Sequence, residues 1–280
     1  MIMLELIANK SQPLKEFTEE NYAQAAFCFR TLLKNKEIKV NGKKTGENVL
    51  LRVGDCVQYY LTEKQAQKSA FYVVYEDENL LVIDKESGVN SEAVFAQLQR
   101  TYGDACRFIH RLDRNTQGLM AFALGEFAEA ELLNAFREKR VEKVYHALCV
   151  GGFQDKTAVL EAYLKKNEEK ALVKIYDTPV SGAERIITEY KLLEQRENLT
   201  KAEITLHTGK THQIRAHLAH IGLPIVGDMK YGDTQKNRAL GVSRQRLVAK
   251  SLRFTLDREL SYLNDKVFCS RFDADFFEKS

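Results

Sequence analysis

Apolar and polar positions alternate most clearly around Ala202–His207, where Ala202, Ile204 and Leu206 are separated by Glu203 and Thr205 and follow Lys201. That period of two predicts a strand with one face buried. Short apolar runs at Leu80–Asp84, Leu119–Leu124, Val144–Val150 and Ile186–Leu192 predict further strands, with Phe71-Tyr72-Val73-Val74 ahead of them. Helical spacing is rarer. Over Glu126–Lys139, Ala128, Leu132, Leu133, Ala135 and Phe136 fall on one side at about 100° per residue, which predicts a surface helix packed on a sheet. Over Thr211–Ile221, a stripe of Ile214, Leu218 and Ile221 faces a core and leaves His212 and Arg215 off it. Strands outnumber helices and do not alternate with them regularly, so the larger part of the chain reads as an α+β domain with a mixed, mainly antiparallel sheet flanked by helices.

The first 66 residues read differently. A helical stretch around Ala23–Leu33 leads to Glu37-Ile38-Lys39-Val40, then Asn41-Gly42, and later Val53–Tyr59. Asn-Gly between β-branched runs signals a tight hairpin, because both residues tolerate positive φ. Thr62–Ser69 is polar and without pattern, as a linker would be. These features predict a small helix-and-hairpin domain over 1–66 and a larger domain over 67–280.

Composition narrows the class. With 44% hydrophobic and 29% charged residues over 280 positions, the chain has enough apolar surface to fold, which excludes a disordered protein. No apolar run is longer than that of Leu119–Leu124, far below the roughly 18 residues of a membrane-spanning helix. Met1–Ile7 is apolar but includes Glu5 and has no basic segment before it, so no secretory signal is expected. Cysteines 28, 56, 106, 149 and 269 are odd in number and never spaced as Cys-x-x-Cys, which predicts reduced, buried thiols and a cytoplasmic protein. The net charge of +3 conceals local clustering. Residues 28–44 carry Arg30, Lys34, Lys36, Lys39, Lys43 and Lys44 against Glu37 alone, and residues 201–258 carry eleven Lys and Arg against four Asp and Glu. Such clustering is the footprint of a polyanionic partner, although a solvated charged face produces the same pattern.

Two segments are dense in candidate chemistry. Residues 107–124 place Asp113 between Arg111 and Arg114 in a polar loop closed by Gly118 and held between apolar runs, a rigid platform for a reactive side chain. Residues 206–218 contain Gly209-Lys210-Thr211, but a phosphate loop needs Gly at position 204, which is Ile. Four histidines lie between His207 and His220 without a carboxylate among them, and positions 212, 217 and 220 do not share one helical face, which argues against zinc.

Three blocks taken in order are specific. His110-Arg111-Leu112-Asp113-Arg114 with Thr116-x-Gly118 comes first, then Thr208-Gly209-Lys210-Thr211-His212-Gln213-Ile214-Arg215-x-His217-Leu218, then Gly222-x-Pro224-Ile225-x-Gly227-Asp228-x-x-Tyr231-Gly232. They resemble the signature blocks of the RluA-type pseudouridine synthases. Asp84-Lys85 with Gly88 resembles that family's Lys-Pro-x-Gly segment, and Lys143-x-Tyr145 resembles its Lys-x-Tyr strand. Residues 13–61 resemble the RNA-binding domain named after ribosomal protein S-four. Three positions depart from the family pattern: Glu86 stands where Pro is usual, Gln117 where Ser is common, and Leu247-Val248-Ala249 where Leu-His-Ala is common. Lys165–Thr178 carries no motif and reads as an exposed hairpin.

The resemblance implies the pseudouridine synthase fold and the conversion of uridine in RNA to pseudouridine, with no cofactor and no metal. It implies Asp113 as nucleophile or electrostatic stabiliser, Arg215 as the cation that keeps it ionised, and Tyr145 as the ring stacked on the uracil. Arg111 is assigned to the gap left by the everted base, and Lys210, His212 and Lys85 to phosphate contacts. Lys143, Arg30, Lys34, Lys39 and Lys43 complete the RNA-binding set. The partner expected is RNA, ribosomal RNA first and transfer RNA as the alternative, met by a monomer without a membrane. The competing reading is a catalytically idle RNA-binding or ribosome-assembly protein.

Overall fold

The computed structural model describes residues 1–167 and 172–275. The chain begins with β1 (Ile2–Ile7), β2 (Gln12–Pro13), α1 (Leu14–Asn21), α2 (Ala23–Phe27), α3 (Phe29–Lys34), β3 (Ile38–Val40), β4 (Lys43–Thr45), β5 (Leu50–Leu51), β6 (Cys56–Leu61) and α4 (Glu63–Ala66). Strands β1, β6, β3 and β4 form one sheet in that order. Asn41 and Gly42 both take positive φ, 50° and 77°, which closes the β3–β4 hairpin at the expected turn. The helix expected over Ala23–Leu33 is broken at Cys28, and α1 before it was not foreseen. Within the stretch read as a linker, Thr62 and Gln65 cap α4 reciprocally. Leu14, Phe17, Leu32, Ile38, Val57 and Tyr59 share a core of their own.

The rest of the chain builds an eleven-stranded sheet. Its strands are β7 (Phe71–Glu76), β8 (Leu80–Lys85), β9 (Cys106–Phe108), β10 (Gln117–Leu124), β11 (Val141–Val150), β12 (Thr157–Asn167), β13 (Leu172–Tyr176), β14 (Glu184–Arg196), β15 (Leu199–Leu206), β16 (Leu247–Phe254) and β17 (Val267–Cys269). The spatial order is β13-β12-β14-β15-β11-β16-β10-β8-β7, with β9 beside β10 and β17 beside β16. Every pairing is antiparallel except β10 with β16. Helices α5 (Ser91–Tyr102), α6 (Glu126–Arg137), α7 (Gln213–His220) and α8 (Thr234–Ala239) complete it. The mixed, mainly antiparallel α+β architecture agrees with the sequence reading. β12 and β13 pair antiparallel as the hairpin expected over Lys165–Thr178, and residues 168–171 lie outside the described residues.

The apolar run Leu119–Leu124 has no polar alternation because β10 is covered on both faces. Leu119, Ala121 and Ala123 meet Ala128, Leu132 and Ala135 of α6, while Met120 and Phe122 point to the opposite core with Val94 and Leu98 of α5. Helix α5 escaped the sequence reading because its buried positions are few and mostly small. Two stripe residues fall outside their cores, Leu133 at 42% and Ile221 at 38% exposure. The cysteines are unpaired, but Cys269 is exposed and Cys28 and Cys56 are only half-buried, so burial holds for Cys106 and Cys149 alone.

Candidate active site

The loop from Ile109 to Thr116 leads into β10, and its shape is set by contacts remote in sequence. Gly118, at φ +108°, lies against β16 so closely that a Cβ would stand 2.3 Å from the Ala249 carbonyl oxygen. Only glycine fits this crossing. Ser91 Oγ accepts from the Leu112 N–H and donates to the Leu112 carbonyl, at 3.1 and 2.9 Å. The Gly88 N–H donates to the Arg114 carbonyl at 2.9 Å, and Gln245 Nε2 donates to Thr116 Oγ1 at 3.0 Å. His110 takes an orphan donor of β10, the Ala121 N–H, on its Nε2 at 2.9 Å. Burial pushes that imidazole down to about 3, so it is neutral with its proton on Nδ1.

Lys85 corrects the sequence reading. It is wholly buried, and its ammonium donates to the carbonyls of Val89, Glu86 and Arg114 at 2.9, 3.0 and 3.1 Å. A group enclosed this way cannot meet RNA phosphate; it anchors the loop that carries Asp113. Burial pushes it down to about 7, with Asp113 and Glu86 pulling the other way.

Arg215, on the first turn of α7, is buried rather than left on a helix surface. Its Nε and Nη2 donate to both oxygens of Asp228 at 2.7 and 2.9 Å, and its Nη1 donates to Asp113 Oδ2 at 2.8 Å. The paired bonds of the guanidinium thus go to Asp228, and Asp113 receives one. Asp228 stood in the third signature block but was given no role, although it is one of only four acids in the basic stretch 201–258. Burial opposes the charges on both residues, but their pairing outweighs it, holding Asp228 below and Arg215 above their ordinary values. The N–H groups of Lys230 and Tyr231 also donate to Asp228 Oδ1, at 2.8 and 3.1 Å. Asp113 Oδ1 has no hydrogen bond among the described residues.

Asp113, Arg215 and Tyr145 line one cavity of about 280 Å³, together with His110, Phe136, Lys143 and His212. It adjoins a second hollow of about 570 Å³ that reaches Arg114, Met229 and Lys230. Tyr145 is buried, and burial followed by the Asp113 charge raises its phenol far above the ordinary value, so it stays protonated. His212 adopts a left-handed conformation at φ 54°, bonds Tyr231 Oη through Nδ1 at 2.9 Å, and brings Nε2 to 3.9 Å from Asp113 Oδ2. Burial lowers its pKa, Asp113 opposes this, and Arg215 adds to it. Arg111 stands at the mouth, 66% exposed and paired with Glu92 at 2.8 Å. Lys210 is paired with Glu184. Arg30, Lys34 and Lys43 lie away from this cavity on exposed N-terminal positions, and Lys39 lies 5.0 Å over the Tyr60 ring. Arg30 borders a separate hollow of about 420 Å³ that also touches Arg114. Among the described residues no group of three or more His, Cys, Asp or Glu is placed to hold a metal ion.

Residues 32–220 match the RNA pseudouridylate synthase family, more than half of the chain. The chain belongs to this family. It is 31% identical over 250 residues to the ribosomal large subunit pseudouridine synthase C of Vibrio vulnificus (strain CMCP6), covering 80% of this chain and 78% of the relative. It is 32% identical over 231 residues to the protein of the same name in Rickettsia felis (strain ATCC VR-1525 / URRWXCal2), with 72% and 75% covered. Among solved structures, human RNA Pseudouridylate Synthase Domain Containing 1 matches with a TM-score of 0.63 and 28% identity over 73% of this chain and 85% of that one. The chain is an RNA pseudouridine synthase with the pseudouridine synthase fold, and the catalytically idle alternative gives way. No helix among the described residues is long and apolar enough to cross a membrane.

Proposed function

We propose that this pseudouridine synthase modifies large-subunit ribosomal RNA and that Asp113 is its nucleophile. The observation that carries the second point is the single bond from Arg215 to Asp113 Oδ2, which anchors one carboxylate oxygen and leaves Oδ1 free inside the cavity. A uridine everted from the RNA presents ribose C1′ to Oδ1. Tyr145 supplies the stacking face beside the base, worth about 1–3 kcal/mol per base, and Arg111 at the mouth fills the gap left behind. His212 and Lys210 border the path of the strand. The target class rests on the relatives named for large-subunit ribosomal RNA, with transfer RNA as the other outcome of the test.

The N-terminal domain, residues 1–66, acts as an RNA-binding unit of the ribosomal-protein-S-four kind, and Arg30, Lys34, Lys39 and Lys43 meet phosphate. We place the enzyme in the cytoplasm, as a monomer. Carbodiimide mapping of pseudouridine in total RNA from cells lacking the protein, complemented with wild type or Asp113→Asn, tests the whole reading. Wild type restores sites in large-subunit ribosomal RNA and the variant restores none. Sites restored only in transfer RNA would overturn the target class, and restoration by Asp113→Asn would overturn the nucleophile.

A further inference from the structure

Lys143 stands two residues before Tyr145 on β11, so strand alternation sends both side chains to the same face, into the cavity that holds Asp113. At this point β16 bulges: Val144 pairs with Ser251 but Tyr145 pairs with Ala249, and Lys250 is skipped. Bulges increase local twist and re-aim neighbouring side chains. The Lys143 ammonium lies against Gly209 and 5.8 Å from the centre of the Phe136 ring. The other cations of this cavity are committed: Arg111 to Glu92, Lys210 to Glu184, and Arg215 to Asp228 and Asp113. Lys143 alone among them has no hydrogen bond or carboxylate partner among the described residues.

The reaction creates an anion in this space. When the bond from uracil N1 to C1′ breaks, its electron pair leaves with the base and spreads over N1, O2 and O4. Arg215 already faces two carboxylates, so that trio is net negative and does not welcome a further anion. We propose that Lys143 is a catalytic residue whose ammonium donates a hydrogen bond to an exocyclic oxygen of the departing uracil and holds the uracil anion while it turns to present C5 to C1′. This rests on the reading of Asp113 as nucleophile. The bond from Asp113 to C1′ forms as C1′–N1 breaks, and the bond from C5 to C1′ then forms as the Asp113 ester breaks. C5 loses a proton to water and N1 gains one, so the overall change is an isomerisation and Lys143 keeps its protons.

The charged and titratable groups that act on Lys143 are Lys139 beyond the end of α6 and neutral His110 from the loop before β10, while Asp113, Lys210 and Tyr145 line the same cavity. Burial, and then the Lys139 charge, hold the ammonium below the ordinary lysine range.

Release of tritium from uridine C5 tests the proposal, using total RNA labelled at that carbon and taken from cells lacking the protein, with RNA affinity measured in parallel. Lys143→Met is expected to slow release at saturating RNA by about 10²-fold, the usual cost of deleting one donor to a developing anion, with affinity within about twofold of wild type. Lys143→Arg keeps the charge; it retains most of the rate and abolishes the fall in rate that wild type shows as pH rises through the Lys143 pKa. A Met variant releasing tritium at the wild-type rate would overturn the proposal. So would a Met variant that loses affinity and salt dependence instead of rate, which would make Lys143 a phosphate contact, or an Arg variant with an unaltered alkaline fall. Wild type releasing no tritium would instead remove the synthase reading itself.

Discussion

The loop from Ile109 to Thr116 and the N-terminal segment 28–44 are both rich in cations, yet the structure treats them in opposite ways. In the loop every charge has a fixed partner: Arg111 with Glu92, Asp113 with Arg215, and Arg114 with Glu19 of α1 at 2.6 Å. In the N-terminal segment, Arg30, Lys34, Lys36, Lys43 and Lys44 are exposed and have no carboxylate partner among the described residues. Bond-making at one carbon needs groups held in place, whereas attraction to a phosphate chain needs only charge of the right sign. Cation density in a sequence therefore does not separate charges that are held from charges that are open.

The comparison breaks or sharpens under substitution. If Asp113 acts as proposed, Asp113→Asn is expected to lower the single-turnover rate of pseudouridine formation by about 10⁴-fold or more while RNA affinity is retained, since loss of a nucleophile is among the largest single effects known. Asp228→Asn comes next. It strips the buried Arg215 of its paired counter-charge, and breaking a buried pair from one side costs about 3–5 kcal/mol, which urea unfolding would register; unaltered stability would mean that Asp113 alone suffices to hold the guanidinium.

Lys85→Met takes the ammonium donor from the carbonyls of Val89 and Glu86, while Arg114 keeps the Gly88 N–H, and is expected to cost about 2 kcal/mol. Its sign with pH is fixed by linkage. The folded pKa of about 7 lies below the ordinary lysine value, so between these pH values the unfolded chain binds more protons and wild-type stability rises with pH. Thermal melts should show the gap between wild type and Lys85→Met widening from pH 7 towards pH 10 and narrowing as pH falls to 7. A constant gap would show that Lys85 does not titrate in this window. The smallest effect belongs to the N-terminal segment. Replacing Arg30, Lys34, Lys39 and Lys43 together by Ala should leave the rate at saturating RNA unchanged and flatten the dependence of log affinity on log salt by roughly 0.7–0.9 for each phosphate that the protein ceases to neutralise. A fall in the saturated rate would erase the distinction between the two regions.

Strand positions were readable because alternation and apolar runs are local signals: Leu80–Asp84 and Leu119–Leu124 fall on strands, and Ala202–His207 does so up to Leu206, where β15 ends. The Asn41-Gly42 turn was readable for the same reason. Helix α5 was not, since packing against β8 and β10, and not its own spacing, holds it in place. Among the site residues, Asp113, Arg215 and Tyr145 came together as the motifs suggested. Lys85 did not, because nothing in Asp84-Lys85-Glu86 tells whether an ammonium will be met by solvent or by carbonyls from Val89 and Arg114. The two departures Glu86 and Gln117 touch one another, with Gln117 Nε2 donating to Glu86 Oε2 at 3.2 Å, a coupling invisible while they were separate differences. The Glu86 N–H also donates to the Ala70 carbonyl at 2.9 Å, a bond that proline in its place would lack.

The sequence by itself determined the ordered motif blocks, the strand-rich periodicity and the hairpin turn, each written within a few consecutive residues and governed by local geometry. Tertiary structure decided which charges are paired and which are left open. Asp113 and Arg215 are 102 positions apart, and Arg215 divides its donors between Asp113 and Asp228. Burial and pairing set the energy of a charge, and both depend on chain segments that meet only after the sheet has closed.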